Sequence, residues 1–253
     1  MFILAANTIP DGGMLSKSWW IFQNNIPMFW YGIKITLLLA VLGTLFGLVL
    51  GLLLGGIRAV RIEERDKTIV KIIKKILHAI VAVYVWFFRG TPMMVQAMFF
   101  YFSIRSVIGW TPLVAGIVII SVNTGAYMAE IIRSGIQSID KGQIEGARSL
   151  GMTNTQTMMS IVLPQAIRNS LPSIGNEFIV NIKDSSMLNV IGVTELFFQT
   201  TSVAGSVFLY METFLITCII YLIMTSLATL ILNWIERKLN TPKVSGVKKA
   251  GEA

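Results

Sequence analysis

Cysteine and histidine are almost absent from this 253-residue chain: Cys218 and His78 are the sole examples of each. One cysteine excludes an intrachain disulfide, and its place within an apolar run reads as a small core residue. One histidine cannot build a histidine-based metal cluster, so His78 is assigned a plain surface role. Charge is scarce as well. Charged residues make up 13 % of the chain, against about 25 % in soluble domains, which excludes an ordinary soluble fold. There is no G-x-x-x-x-G-K-[ST] phosphate loop, so any nucleotide the protein works with is bound by another chain. No Ser/His/Asp or Cys/His grouping points to covalent catalysis. The alternating segments of about 10 residues that mark a transmembrane barrel are missing too. The opening MFILAANTIPDGG has no basic region and only a short apolar run, so no cleaved signal is expected.

What the chain has in abundance is apolar surface: 54 % hydrophobic residues, with 14 Phe and 13 Met, and a mean hydropathy of +0.70. Several runs approach or exceed the roughly 20 residues that cross a bilayer as a helix. The fold class is therefore an all-α polytopic membrane protein with about five transmembrane helices. The spans are read at 33–57, 76–104, 113–132, 172–196 and 208–234. Residues 1–29 form an extracytoplasmic N-terminal segment, 133–171 a cytoplasmic loop and 237–253 a basic cytoplasmic tail.

Four features stand out along the way. Gly43, Gly47, Gly51 and Gly55 recur every fourth residue on one helix face, which lets another backbone come close. That neighbour is either a helix of the same chain or a second subunit. Residues 58–78 place Lys67, Lys71, Lys74, Lys75 and His78 on one face and Ile69, Val70, Ile72, Ile73, Ile76 and Leu77 on the other. This is a basic amphipathic helix suited to anionic membrane lipid. In the second span, FFRGTPMMVQ interrupts the helix, because Pro92 has no backbone donor and biases Thr91 away from helical geometry. A broken helix with Arg89 near the break is expected, and broken helices in transporters mark the translocation path. The fourth span carries Asn176, Glu177, Asn181, Lys183 and Asp184. Charge facing lipid costs about 2.5–3.5 kcal/mol per residue, so these face a pore or a partner.

Charge placement supports the fourth span. Sixteen of the 21 Lys and Arg fall in 58–75, 133–168 and the tail, and an odd number of spans puts all three on one side. The positive-inside rule then places the N-terminus out and the C-terminus in. The net charge of +8 follows from this topology and implies no nucleic-acid partner.

Residues 145–167, EGARSLGMTNTQTMMSIVLPQAI, are too polar to span. A short helix over 140–150 is expected to end at Gly151, with a second running to Val162 before Pro164. Taken alone, this is either a plain loop or a helical element that docks on a partner. The pattern Glu145, Ala147, Gly151, followed by Ile161, Leu163 and Pro164, resembles the coupling loop of bacterial ATP-binding-cassette (ABC) importer permeases. Gly146 stands where that family usually has alanine. FFRGTPMMVQ at 87–96, SVNTGAYMAEIIRSGI at 121–136 and NIKDSSMLNVIGVTEL at 181–196 are similar, in the same order, to segments of the polar amino-acid (His/Glu/Gln/Arg/opine) permeases. The likeness covers about 30–240.

The resemblance implies a multi-pass permease subunit of the bacterial cytoplasmic membrane, with 30–236 as its permease domain. Its partners would be a second permease subunit, a cytoplasmic ABC ATPase dimer and an extracytoplasmic substrate-binding protein. ATP and Mg would sit on the ATPase, with no cofactor and no bond chemistry on this chain. Glu145, Gly146, Ala147, Gly151, Leu163 and Pro164 would couple to the ATPase. Arg89, Gln96, Asn123, Thr124, Glu177, Asn181 and Asp184 are the candidate substrate path: a guanidinium for a carboxylate, with acceptors for an ammonium. The competing reading has Arg89 with Asp184, or Lys183 with Glu177, paired within the bundle. Rivals from other classes are an ion-coupled secondary transporter and a non-transporting scaffold.

Overall fold

Small residues determine the central helix pair. In the computed structural model, which describes residues 9–60, 62 and 66–240, the longest helix is α1 (Met14–Ala59). It packs most extensively against α4 (Pro112–Gln137). The glycine ladder meets a second ladder there: Gly43 lies against Ile120, Gly47 against Thr124, Gly51 against Met128 and Gly55 against Ile132. A Cβ on Gly47 would stand 2.7 Å from the Thr124 side chain, so no side chain fits between the helices. Each glycine costs its helix about 1 kcal/mol relative to alanine, and close packing across the seam offsets it. The neighbour left open by the sequence is thus a helix of the same chain.

The helix carrying that ladder begins well before Ile33. Its first turns bend at Asn25 (φ −124°, ψ 18°), two residues before Pro27. Asn24 and Asn25 each donate a side-chain hydrogen bond of 2.8 Å, to the carbonyls of Trp20 and Ile21. Pro27 has no N–H to donate to the Gln23 carbonyl four residues back, and a missing bond of this kind bends a helix.

The second hydrophobic stretch is broken as Pro92 requires. Helix α2 (Thr68–Gly90) ends at an extended Thr91, and α3 (Met93–Ile108) restarts beyond Pro92. After α4 comes the polar loop. It holds α5 (Lys141–Ser149), α6 (Asn154–Thr157) and a π-helical turn over Met158–Val162. That turn runs straight into α7 (Leu163–Asp184). The helix therefore does not stop before Pro164. The wider π turn carries the helix past Pro164, whose ring nitrogen has no N–H to donate, and the proline sits in the first turn of α7.

The polar fourth segment is not one continuous helix either. Beyond Asp184 a 3₁₀ stretch, Ser185–Ile191, leads to Gly192 at φ +87°. Then come α8 (Leu196–Val207) and α9 (Tyr210–Asn240). Cys218 lies exposed on α9 rather than in the core; an apolar run in a membrane helix does not by itself say which face looks inward. His78 is half-buried and its Nε2 lies 2.9 Å from the Ile57 carbonyl oxygen, tying α2 to the end of α1.

The described residues form helices joined by short turns, with no strand among them. Among these residues three helices are long and apolar enough to cross a membrane: α1, α4 and α9. The lysines of α2 and the polar residues of α7 keep those two below that measure. Arg61 and Arg65 of the basic stretch, the first eight residues, and Lys243, Lys248 and Lys249 of the expected tail lie outside the described residues.

Candidate functional site

The other side of α4 opens rather than closes. Between the end of α2, the C-terminal half of α4 and the middle of α7 lies an open cavity of about 560 Å³. It is lined by Arg89, Tyr127, Glu130, Ile131, Ser134, Pro172, Ser173, Asn176 and Glu177. Arg89 is exposed and its guanidinium lies over the Tyr127 ring, 5.4 Å from the centroid. This cation–π contact holds the charge at the rim while leaving its donors available. Glu177 faces it from α7. Among the described residues neither Arg89 with Asp184 nor Lys183 with Glu177 forms an ion pair. The pairs present are Arg58–Glu130, Arg133–Glu130 and Lys74–Asp66.

Glu130 is held from two sides. Arg58 Nη1, at the end of α1, donates to its Oε2 at 3.0 Å, and Arg133, one turn on, donates to Oε1. Arg133 also donates to Gln137 at 2.9 Å. The cavity floor is thereby linked along α4 to its C-terminus, and α5 begins four residues beyond Gln137, at Lys141.

Of the expected path residues, Arg89 and Glu177 meet in this cavity. The others do not line it. Gln96 is buried at the helix break, where its Nε2 donates to the carbonyls of Phe88 (3.0 Å) and Thr91 (2.9 Å). Asn123 donates to Gln96 Oε1 at 2.9 Å and so fastens the break to α4. Thr124 donates to Asn181 Oδ1, and Asn181 in turn to Thr44, both at 2.9 Å, joining α4, α7 and α1. These four amides and hydroxyls satisfy one another and the freed backbone, as buried polar groups must. Asp184 ends α7, half-buried.

Two acids escaped the sequence reading of the site. Glu130 sits seven residues after Asn123, two helical turns along, with Arg133 at i+3; that spacing was the available signal. Glu195 is fully buried. It caps α8 by accepting from the N–H groups of Phe197 (2.7 Å) and Phe198 (2.8 Å), and it also accepts from the Tyr221 hydroxyl of α9 (3.2 Å). An acid directly before an apolar run is an N-cap signature.

In the polar loop, Asp140 caps α5 by accepting from Gly142 N at 2.6 Å. Gly151 closes the helix at φ +83°, with Met152 N donating to the Ala147 carbonyl at 3.2 Å. This is the six-residue bond of a Schellman end, in which glycine carries the left-handed turn without strain. Ala147 faces inward, while Glu145 and Gly146 face out. Leu150 is 85 % exposed. Leu163 is half-buried and Pro164 exposed at the start of α7. Gln165 bonds Gln143 at 2.6 Å, so α5 is braced on α7.

A bundle with membrane-length helices, an open cleft that brings Arg89 and Glu177 together, and an outward-facing helical loop braced on α7 fits a multi-pass membrane permease. Comparison with known proteins makes the class specific. The family described as binding-protein-dependent transport system inner membrane component matches residues 69–241, and the chain belongs to it. Subunits of this family are transporter permeases, with ATP hydrolysis on a separate chain. The chain is 36 % identical to the glutamine transport system permease protein GlnP of Escherichia coli (strain K12), covering 85 % of this chain and 94 % of that one. It is 33 % identical to the probable amino-acid permease protein YxeN of Bacillus subtilis (strain 168), over 90 % and 99 %. It is 34 % identical to the arginine transport system permease protein ArtQ of the same organism, over 85 % and 94 %. The crystal structure of an amino acid ABC transporter with histidines superposes with a TM-score of 0.75 at 35 % identity, covering 86 % of this chain and 96 % of that chain. The inward-facing MetNI methionine transporter shares the fold, with a TM-score of 0.69.

Proposed function

We propose that this chain is the permease subunit of an ATP-driven importer of polar amino acids in the bacterial cytoplasmic membrane. The observation that carries this reading is the cavity between α2, α4 and α7. It presents a guanidinium and a carboxylate, Arg89 and Glu177, that are not ion-paired with each other. A free α-amino acid has the complementary pair of charges: Arg89 takes its carboxylate in a bidentate fork, and Glu177 takes its ammonium. The relatives named for amino acids support the same class of cargo.

The chain performs no bond chemistry. It crosses the membrane about five times, with α2–α3 and α7 completing the three apolar helices, N-terminus out and C-terminus in. It pairs with itself or with a sister permease. An extracytoplasmic binding protein delivers the substrate from one side. A cytoplasmic ATPase dimer, carrying ATP and Mg, docks on the other through Glu145, Gly146, Ala147, Gly151, Leu163 and Pro164. Gly151 gives that element its sharp end and Leu150 its exposed apolar tip. Movement of α5 is passed to α4 across three residues, and α4 carries Glu130 at the cavity. Gln96, Asn123, Thr124 and Asn181 shape the path by holding α2, α3, α4, α7 and α1 in register. Asp184 closes the end of α7.

The test is reconstitution of the chain with its ATPase and binding protein in lipid, followed by ATP hydrolysis across a panel of amino acids. Stimulation by one or a few amino acids is expected, and Glu145→Lys, at an exposed position, abolishes it while the fold persists. Uptake that follows a proton or sodium gradient, with no stimulated hydrolysis, overturns the reading in favour of a secondary transporter.

A further inference from the structure

The cavity has two ends, and the pairing of α4 with α7 tells them apart. The two helices run antiparallel. Thr124 of α4 bonds Asn181 of α7 at 2.9 Å. Further along α4 and further back on α7, Ser170 donates to the Ile131 carbonyl at 3.4 Å, and Gly135 lies against Ala166 and Ser170. Ser134 therefore sits one helical turn from Glu130 toward the coupling loop, and Ser173 one turn from Glu177 in the same direction. Asn176 stands beside Glu177 on the cavity wall. Lys183 and Asp184 lie the other way, roughly 10 Å beyond Asn176 and Glu177 at 1.5 Å per residue, and neither lines the cavity.

Resting on the amino-acid reading of this cavity, we propose that Ser134, Ser173 and Asn176 form a side-chain pocket that selects amino acids with a neutral, hydrogen-bonding side chain, a carboxamide above all, over acidic and basic ones. With Arg89 on the substrate carboxylate and Glu177 on its ammonium, the lining holds one further ionised group, Glu130. Both oxygens of Glu130 already accept from arginines, Arg58 and Arg133, and neither arginine lines the cavity. An acidic side chain at the loop end thus meets a carboxylate and no available cation. A basic one meets a carboxylate that is already neutralised. Ser134, Ser173 and Asn176 are exposed to the cavity, with no side-chain hydrogen bond among the described residues. Hydroxyl and amide groups both donate and accept, so together they match the donors and the acceptor of a carboxamide. An apolar side chain takes water from the same three groups and returns no hydrogen bond.

A delivering protein would impose a selectivity of its own, so the experiment leaves it out. The permease with its ATPase, in lipid nanodiscs, is assayed for direct binding of tritiated glutamine, glycine, glutamate, lysine and leucine. Glutamine is expected to bind roughly 10-fold more tightly than glutamate, lysine or leucine. Ser173→Ala weakens glutamine by roughly 3- to 10-fold and leaves glycine, which has no side chain to meet the pocket, unchanged. Ser173→Asp supplies the missing carboxylate and moves the preference toward lysine. Glutamate, lysine or leucine binding as tightly as glutamine, or equal loss of glutamine and glycine in Ser173→Ala, overturns the side-chain pocket and leaves an amino-acid site in place. Binding of none of the five, or binding that Arg89→Ala does not weaken, overturns the amino-acid reading of the cavity and the pocket with it.

Discussion

One helix, α4, shows two opposite ways of meeting a neighbour. Toward α1 it presents Ile120, Thr124, Met128 and Ile132 to a row of glycines, and the backbones approach until no further atom fits. Toward α2 and α7 it presents Tyr127, Glu130 and Ser134, and the helices part around a cavity. In a membrane the apolar tails of lipid compete on equal terms with apolar side chains, so helices hold together by close fit. Where charges replace small residues the fit is lost and water has room to enter. The seam leaves no room between its helices, and the cavity leaves room for a bound molecule.

The largest effect is expected from Gly51→Leu. The added side chain has nowhere to go, because its first carbon already collides with Met128. Overpacking of this kind costs about 1–3 kcal/mol, and a Leu pushes two helices apart along the whole seam. Thermal unfolding in detergent should show a clear drop in Tm or no folded protein. Gly56→Leu is the control on the same helix, since its Cβ would meet nothing within 4 Å. Equal behaviour of the two variants breaks the contrast between seam and cavity.

Next comes Arg89→Ala. Arg89 is exposed and makes no ion pair among the described residues, so Tm should stay where it is. Substrate-stimulated hydrolysis should fall by roughly 10- to 100-fold, the equivalent of one charged hydrogen-bonding partner. Arg89→Lys should recover only part of it, because a point charge cannot form the bidentate fork. A drop in Tm of the same size as for Gly51→Leu would make Arg89 a packing residue.

Smaller still is Glu130→Gln. It leaves Arg58 and Arg133 without their carboxylate. All three side chains are partly exposed, at 27 %, 30 % and 23 % for Arg58, Arg133 and Glu130. Solvent screening therefore limits the loss to about 1 kcal/mol. The sharper readout is basal hydrolysis without substrate. If Glu130 links cavity to coupling helix, basal turnover should rise as stimulation falls. The charge swap Arg58→Glu with Glu130→Arg should restore part of the coupling, though Arg133 then faces a like charge.

The glycine face was legible in the sequence because a glycine every fourth residue lets another backbone come close, but whether that backbone belonged to this chain or to a second subunit was not. The break at Thr91–Pro92 and the left-handed Gly151 were legible for similar reasons, being constraints on the backbone itself. The cavity was only half legible. Gln96, Asn123, Thr124 and Asn181 announce themselves as polar groups in a membrane, but not whom they bond. They turn out to satisfy one another and a broken backbone. Glu130 and Tyr127 became cavity residues only once α2 and α7 were placed, because which face of α4 is open is set by other helices. Pro164 misled because proline usually ends a helix, and a π turn upstream removed the conflict. Cys218 misled because an apolar run in a membrane has no preferred inside.

Gly146 offers the finest test of the same contrast, as the inverse of Gly51. It too is a glycine within a helix, yet a Cβ there would meet nothing within 4 Å. In the isolated chain its freedom is therefore only a cost, and Gly146→Ala should stabilise α5 by up to about 1 kcal/mol. Amide hydrogen exchange over 141–149 should slow, with no change in the Tm of the bundle. Stimulated hydrolysis in the assembled transporter then reads whether the glycine serves a close approach from outside. Unchanged stimulation means that the ATPase does not press its surface within a methyl group of Gly146. Lost stimulation, alongside slower exchange, means that the coupling helix meets its partner as α1 meets α4, through the space of a missing side chain.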